Sequence, residues 1–534
     1  MARKTNAYHL EIRTNRNKPI GLLRNSYRED GKVKKETLCQ FTGLSLSQLQ
    51  LIRASIQGKT VMKDEFKILS GREYGASFVG LSIAKELGLH KMIHSHYSQN
   101  WVKAALAMIV GRLVYQGSKL SLSHCSSYSA LWQVCGIKGE IKVDTHCYDV
   151  MDKLFSRQEA IQQALAKNHL QDGTLVLYDI TSCYMEGDYE ESELVEFGYN
   201  RDGKRGHEQI VISLLCNKDG CPVAVEVFPG ATKDEATVIN KINEIKQKYS
   251  IEKVIFVGDR GMVTQAIYSN IDNETVRTIS ALNHSKIQTL CEKGTIQMSL
   301  FDKDNIVEVI DGNMRYMLCK NPIMQQQETA TRNRLIELTC AELDKIIAST
   351  RKTKYSKAVR MGRKMDKYKM GKFIIIEGSD NNATYRLDSK KIEKEEVLDG
   401  CYVVFTDVSS DDMSTMETVN NYKSLIKVEQ AFRSLKTTHL EMRPIYHKTD
   451  NRIKCHVFIC MLAYYIMWHM QQRLKPLQEI DGVGSKRKYS FAHVMECLKS
   501  IRINDIIFLE VETSIITLPT DEQSHFLDLL GVAV

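Results

Sequence analysis

The sequence predicts a mixed α/β chain built on one central sheet, and three observations carry that expectation. Leu175-Val-Leu-Tyr-Asp179 opens as an unbroken apolar run of the kind that forms a strand buried on both faces, yet it ends on a carboxylate. Two further strand-like runs follow, His207–Cys216 and Pro222–Phe228, joined by the turn residues Asn217-Lys-Asp-Gly220. The period then switches to that of an amphipathic helix at Glu235–Lys246 and back to a buried strand at Lys253–Val257, which leads into a second aspartate, Asp259. A helix from about Val263 and a strand near Val276–Ser280 complete the series. This order is that of an RNase H-like core, in which the first and fourth strands lie side by side.

Around that core the chain divides by changes of period. Residues 1–70 contain short strand-like runs, Tyr8–Arg13 and Val33–Cys39, with the turn-like Glu29-Asp-Gly-Lys32 before the second, and read as a small β-rich module. Residues 71–172 take up helical spacing, as in Leu81–Leu87 and Trp101–Val110. The core occupies 173–281 and resumes at 409–474. Between them, 282–408 reads as a β-rich insertion with strands at Asn305–Ile310, Arg315–Cys319, Phe373–Glu377 and Cys401–Thr406, and 475–534 forms a C-terminal region.

A chain of 534 residues exceeds what one hydrophobic core serves, so several domains are expected. With 73 Lys plus Arg against 65 Asp plus Glu, the net charge of +8 is too mild to define a partner unless the cations cluster. The 14 cysteines stand singly without a Cys-x-x-Cys pair, which points to reduced thiols and an intracellular setting, and no secretory signal accompanies them. The most apolar run, His456–His469, is shorter than the roughly 20 residues that cross a bilayer, has histidine at both ends and reads as a buried helix, so no membrane partner is expected. The adjacent pairs His124-Cys125, His146-Cys147 and Cys455-His456 cannot readily ligate one metal and read as packing.

Asp179 and Asp259 are the informative oddity. Two carboxylates at neighbouring strand ends repel each other, and a shared divalent cation would resolve the repulsion; each alone could equally cap a loop or pair with a base. A third ligand is sought in Asn421–Lys436, whose apolar spacing is helical. Tyr422, Glu429 and Lys436 recur every seven residues, about 700° at 100° each, which places them on one face with Arg433. A solvated helix surface laced by Glu-to-Arg pairing would show the same stripe.

In these residues the chain resembles the DDE transposases of bacterial insertion sequences, in the group whose catalytic domain is split by a large β-rich insertion. The resemblance spans about residues 170 to 470. It rests on Tyr178–Gly187, Gly198–Gly206, Phe228–Asp234, Gly258–Met262, Tyr422–Lys436, Arg443–His447 and Arg452–Val457 in that order. It implies that Asp179, Asp259 and Glu429 are the catalytic metal ligands, with Tyr422 and Lys436 as accessory residues around the glutamate. It implies two Mg²⁺ or Mn²⁺ ions and cut-and-paste transposition, in which water frees a 3′-OH that then attacks target DNA. The implied partners are double-stranded DNA, both the element's terminal inverted repeats and its target, and a second copy of the chain in a synaptic homodimer; the implied location is the bacterial cytoplasm, at the nucleoid. A nuclease or resolvase of the same fold, and an inactive transposase-derived DNA-binding protein, are the rival expectations. The chain departs from the group's pattern at Leu425, where arginine is usual, and at Ala231, where asparagine is common.

Cations do cluster in the insertion: Arg351 to Lys372 holds ten against the single acid Asp366, with tyrosines interleaved. Within this run Arg351, Lys352, Lys354, Lys357, Arg360, Arg363 and Lys364 are expected to meet DNA phosphates. Arg201, Lys204 and Arg205, after the first core strand, and Arg260, Arg433 and Lys436, near the carboxylates, are expected to face DNA at the reacting site. The helical region 71–172 is the default reader of the element ends.

Overall fold

The computed structural model describes residues 7–15, 18–29, 31–58, 66–199, 206–260, 262–263, 274–302, 306–350, 355–378, 382–477, 489–508 and 511–534. They form two compact units, Met1–Gln158 with Leu435–Val534, and Glu159–Ser434.

The first unit begins with an antiparallel sheet, β1 (Ala7–Asn15), β2 (Lys18–Glu29) and β3 (Lys32–Phe41). Glu29 of β2 pairs with Lys32 of β3 on either side of the expected turn, whose Asp30 lies outside the described residues, but β2 itself lay outside the sequence expectation. Its polar residues and central Gly21 disguise it, and Gly21 is required: a Cβ there would stand 2.6 Å from Leu49 Cδ2. Leu49 belongs to helix α1 (Leu46–Ile56), which packs on β1 and β2 and is held at its start by a capping box from Ser45 and Gln48. Strand β4 (Phe66–Glu73) follows, then helices that include α2 (Asn100–Val114), buried over most of its length.

The second unit holds an eight-stranded sheet. Its core strands are β5 (Thr174–Tyr184), β6 (Gln209–Asn217), β7 (Pro222–Pro229), β8 (Val254–Gly258) and β9 (Val276–Ala281). They lie in the order β7-β6-β5-β8-β9, with β5 antiparallel to β6 and parallel to β8, which is the RNase H-like arrangement. The β6–β7 turn is locked by Asn217, whose Oδ1 accepts from the backbone of Asp219 (3.0 Å) and Cys221 (2.9 Å), and by Gly220 at φ +87°. Helix α3 (Asp234–Tyr249) follows β7. The helix expected from Val263 falls largely on 264–273, outside the described residues.

Three strands of the insertion extend this same sheet beyond β9: β10 (Ile306–Asp311), β11 (Met314–Lys320) and β14 (Cys401–Thr406) add in the order β10-β11-β14-β9. The intervening residues build a satellite core of Ile336, Leu343, Met361, Met365 and Phe373 from helices α4 (Pro322–Ala348) and α5 (Lys357–Tyr368) and the hairpin β12 (Ile374–Glu377) with β13 (Thr384–Leu387). The four expected strands are present, but the 27-residue helix α4 is not foreshadowed by them. Its first half is polar and reads as loop; its buried stripe begins with Arg332, paired to Asp399 at 2.6 Å.

Helices α6 (Thr415–Lys423) and α7 (Ile426–Arg433) return to the core: α6 packs on β8, β9 and β14, and α7 on β5. In the first unit, α8 (Asp450–Arg473) is the apolar core helix expected around 456–469. It is long and apolar enough to cross a membrane, with mean hydropathy 1.3, and most of it is buried in protein. Strands β15 (Arg502–Phe508) and β16 (Val511–Ile516) close a sheet with β4 in the order β16-β15-β4.

Candidate active site

The parallel register of β5 and β8 builds the site. Thr174 pairs with Val254 and the ladder continues to Tyr178 with Gly258. Asp179 and Asp259 are the next residues of the two chains after that last pair, on strands that lie roughly 5 Å apart. Strand alternation turns Asp179 to the face opposite Tyr178, whose ring is buried against Phe256. The Asp179 carboxylate is oriented locally, accepting the amide N–H of Ile180 at 2.8 Å. Asp259, just past the end of β8, is exposed, while its backbone carbonyl accepts from Ser280 Oγ (3.1 Å) and from the amide of Met262 (3.1 Å).

Tyr422, in the last turn of α6, donates its hydroxyl to Asp259 Oδ1 at 3.4 Å and also meets Arg260. Burial pushes the Tyr422 hydroxyl up to about 12, the Asp259 charge adds to the rise, and Arg260 works against it. Tyr422 therefore holds its proton more firmly than a free tyrosine does and serves as a donor. Glu429 is exposed on α7, the helix laid on Asp179's strand. That helix is seated at its start where Lys427 Nζ donates to Lys218 O at 2.8 Å, and Gly220 leaves room for it: a Cβ there would meet Lys427 Cβ at 2.9 Å.

The structure corrects the single-helix reading of Asn421–Lys436. The chain tightens between α6 and α7 through i to i+3 bonds, Leu425 N–H to Tyr422 O (3.1 Å) and Val428 N–H to Leu425 O (2.9 Å), and widens to a π-helical turn at Ser434–Thr438. Spacing by sevens therefore does not keep one uniform face. Leu425 is only 7 % exposed and packs inward, so the place where arginine is usual is a core position in this chain. Arg433 is exposed at the end of α7, whereas Lys436 is buried in the π-helical turn.

Of the insertion cations, Lys357 donates to Ile347 O, Lys364 pairs with Glu342 at 2.7 Å, Arg363 stacks over the Tyr355 ring at 3.9 Å and Arg360 is half-buried. Arg351, Lys352 and Lys354, and likewise Arg201, Lys204 and Arg205, lie outside the described residues.

Sequence reasoning missed a joint at the far end of β5 and β6, where Gln209 pairs with Tyr184. Gly198 and Gly230, from two separate motifs, approach so closely that a Cβ on Gly198 would stand 2.0 Å from Gly230 O. Gln209, buried between them, donates to Gly230 O (2.8 Å) and Tyr199 O (3.1 Å). The glycines in those motifs are the legible signal.

Asp179, Asp259 and Glu429 supply only oxygen donors, a set that suits a hard divalent cation. They are not among the described three-residue groups whose ligand atoms all lie within 4.8 Å of one another.

A family model described as the transposase DDE domain matches residues 171–466. No curated protein matches the chain. Among solved structures, the chain is similar to a piggyBac transposase in a synaptic complex with hairpin DNA, determined by cryo-electron microscopy. The TM-score is 0.35 at 9 % identity, over 80 % of this chain and 76 % of that one. With the DDE-domain match covering more than half of its length, from before β5 into α8, this chain belongs to the DDE transposases.

Proposed function

We propose that this chain catalyses cut-and-paste transposition of an insertion sequence, cleaving DNA at the element's terminal inverted repeats and joining the freed 3′-OH to target DNA. The observation that supports the reading is the β5–β8 register, paired as far as Tyr178 with Gly258, after which Asp179 and Asp259 are the next residues of the two strands, with the Tyr422 hydroxyl on the second carboxylate. Asp179, Asp259 and Glu429 would hold two Mg²⁺ or Mn²⁺ ions, and these would supply activation of the attacking hydroxyl and stabilisation of the leaving oxygen. Tyr422 fixes the Asp259 carboxylate from one side and leaves its second oxygen for ligation. Arg260 and Arg433, both exposed, hold the phosphates that flank the scissile bond. The partners in this reading are element ends, target DNA and a second copy of the chain in a synaptic dimer, at the nucleoid of a bacterial cell.

The test uses labelled element-end DNA with wild type and with Asp179→Asn, Asp259→Asn and Glu429→Gln. Each variant binds ends as wild type does and loses cleavage by at least a thousandfold. Substantial cleavage by any one of them removes that residue from the triad. Pre-cleaved ends then separate a transposase, which joins them to a plasmid, from a nuclease or resolvase, which does not.

A further inference from the structure

The sheet β1-β2-β3 is covered on one face only. Leu10 and Gly21 face α1, where Leu49 is fully buried. The pairs His9 with Arg24, Arg13 with Ile20, Ser26 with Lys35 and Arg28 with Val33 place the alternate residues on the other face, with no described element packed over it. That face carries the apolar Ile20 and Leu22 toward the start of β2 and is basic and polar from Arg24 to Arg28. Arg13 and Arg24 converge on Glu11 at 2.8 and 2.7 Å, Lys35 acts on the same carboxylate, and Arg28, Ser26 and Thr37 extend the set. One acid thus holds two guanidiniums in place and leaves a net positive surface. Strand β3 is exposed along nearly its whole length, and Val33 stands 59 % exposed among the cations.

A free sheet face of this composition has a dimensional match. Three strands span roughly 10 Å, and the major groove of B-DNA is about 12 Å wide. Arginines present bidentate donors to guanine, Ser and Thr serve either base-edge polarity, and an exposed valine suits the thymine methyl.

We propose that β1-β2-β3 inserts its open face into the major groove of duplex DNA and reads base sequence there, so that recognition of the element ends lies in this sheet rather than in the helical region 71–172. The inference rests on the proposed transposase function but concerns a surface made of other residues. Glu11 acts as a positioning residue that keeps Arg13 and Arg24 splayed over the sheet before DNA arrives.

The experiment selects ligands for the full-length chain from a randomised duplex DNA library in metal-free buffer. Wild type enriches a defined motif. Arg24→Gln/Arg28→Gln/Lys35→Gln, all on the solvent side of a sheet whose core is unchanged, fails to enrich it and binds it at least tenfold more weakly, while its thermal melting matches wild type. Glu11→Gln keeps the motif but binds unrelated duplexes more tightly. If the triple variant enriches the same motif with unaltered affinity, the sheet does not read sequence; transposition by the Asp179, Asp259 and Glu429 site would be untouched by that result. If wild type enriches no motif, sequence reading by this face is overturned as well, and strand transfer of pre-cleaved ends remains a separate measurement.

Discussion

The Tyr422 hydroxyl lies 3.4 Å from Asp259 Oδ1 and donates to it, tying the last turn of α6 to the carboxylate at the end of β8. The contact joins residues 163 positions apart, on either side of the insertion. Because burial and the Asp259 charge hold the hydroxyl protonated up to about 12, the bond does not titrate in the range where the enzyme works.

Tyr422→Phe is therefore expected to lower cleavage about three- to tenfold by loosening Asp259, on the scale of one ordinary hydrogen bond of about 1 kcal/mol. The shape of the pH–rate profile between pH 6 and 10 stays that of wild type. A profile that loses an alkaline limb in Tyr422→Phe would show instead that the tyrosine titrates and takes part in proton transfer.

Leu425→Arg should not restore a phosphate contact. The position is 7 % exposed, so the substitution removes apolar packing and forces a guanidinium toward the core, at a cost of roughly 3 kcal/mol. Denaturant unfolding measures this directly, with Leu425→Met as the volume-conserving control that stays within about 1 kcal/mol of wild type. A stable Leu425→Arg chain with tighter end binding would contradict the buried assignment.

The cations of α5 are unequal. Lys364 is committed to Glu342 and Lys357 to a backbone carbonyl, whereas Arg363 lies on the Tyr355 ring with its donors free to reach outward. Replacing Arg360 and Arg363 with Gln should reduce the slope of log affinity against log salt by about 0.9 for each phosphate that is no longer neutralised. Lys364→Gln should leave that slope unchanged. Equal slopes for all three variants and wild type would return α5 to a solvated surface helix.

The first unit buries bases that the proposed chemistry does not use. Lys119 Nζ lies 3.2 Å from His456 Nδ1, and His456 Nε2 lies 2.9 Å from Met442 O, an arrangement that needs a neutral imidazole. Burial, and then Arg112, lowers Lys119 to about 8; burial lowers His447 to about 3 and holds His456 well below the usual histidine value. All three bind protons less readily folded than unfolded. Stability should therefore rise with pH from about 8 to 10.5 as unfolded-state lysine loses its advantage, and fall as pH drops below about 6.5, where only the unfolded histidines protonate. Lys119→Met should flatten the alkaline rise, read by urea unfolding at a series of pH values. An unaltered rise would assign it to other groups.

The core strands were legible because β5, β6 and β8 are buried on both faces and spell that burial as continuous apolar runs, with Asp179 and Asp259 as interruptions that packing alone does not explain. β2 and α4 were less legible, for a common reason. One face of β2 is open and the first half of α4 is polar, so local composition resembles loop, and only partners distant in sequence, Leu49 for Gly21 and Asp399 for Arg332, give those segments their shape.

The sequence by itself determined the order of the core strands and marked Asp179 and Asp259 as charged interruptions of apolar runs, because those depend on local periodicity and on residue type. Tertiary structure alone decided that β10, β11 and β14 widen the catalytic sheet, that α6 and α7 break their common face, and that Leu425 faces inward while Gly198 meets Gly230. Each of these depends on which surfaces come together across long stretches of chain, and periodicity within a segment carries no record of what will be packed against it.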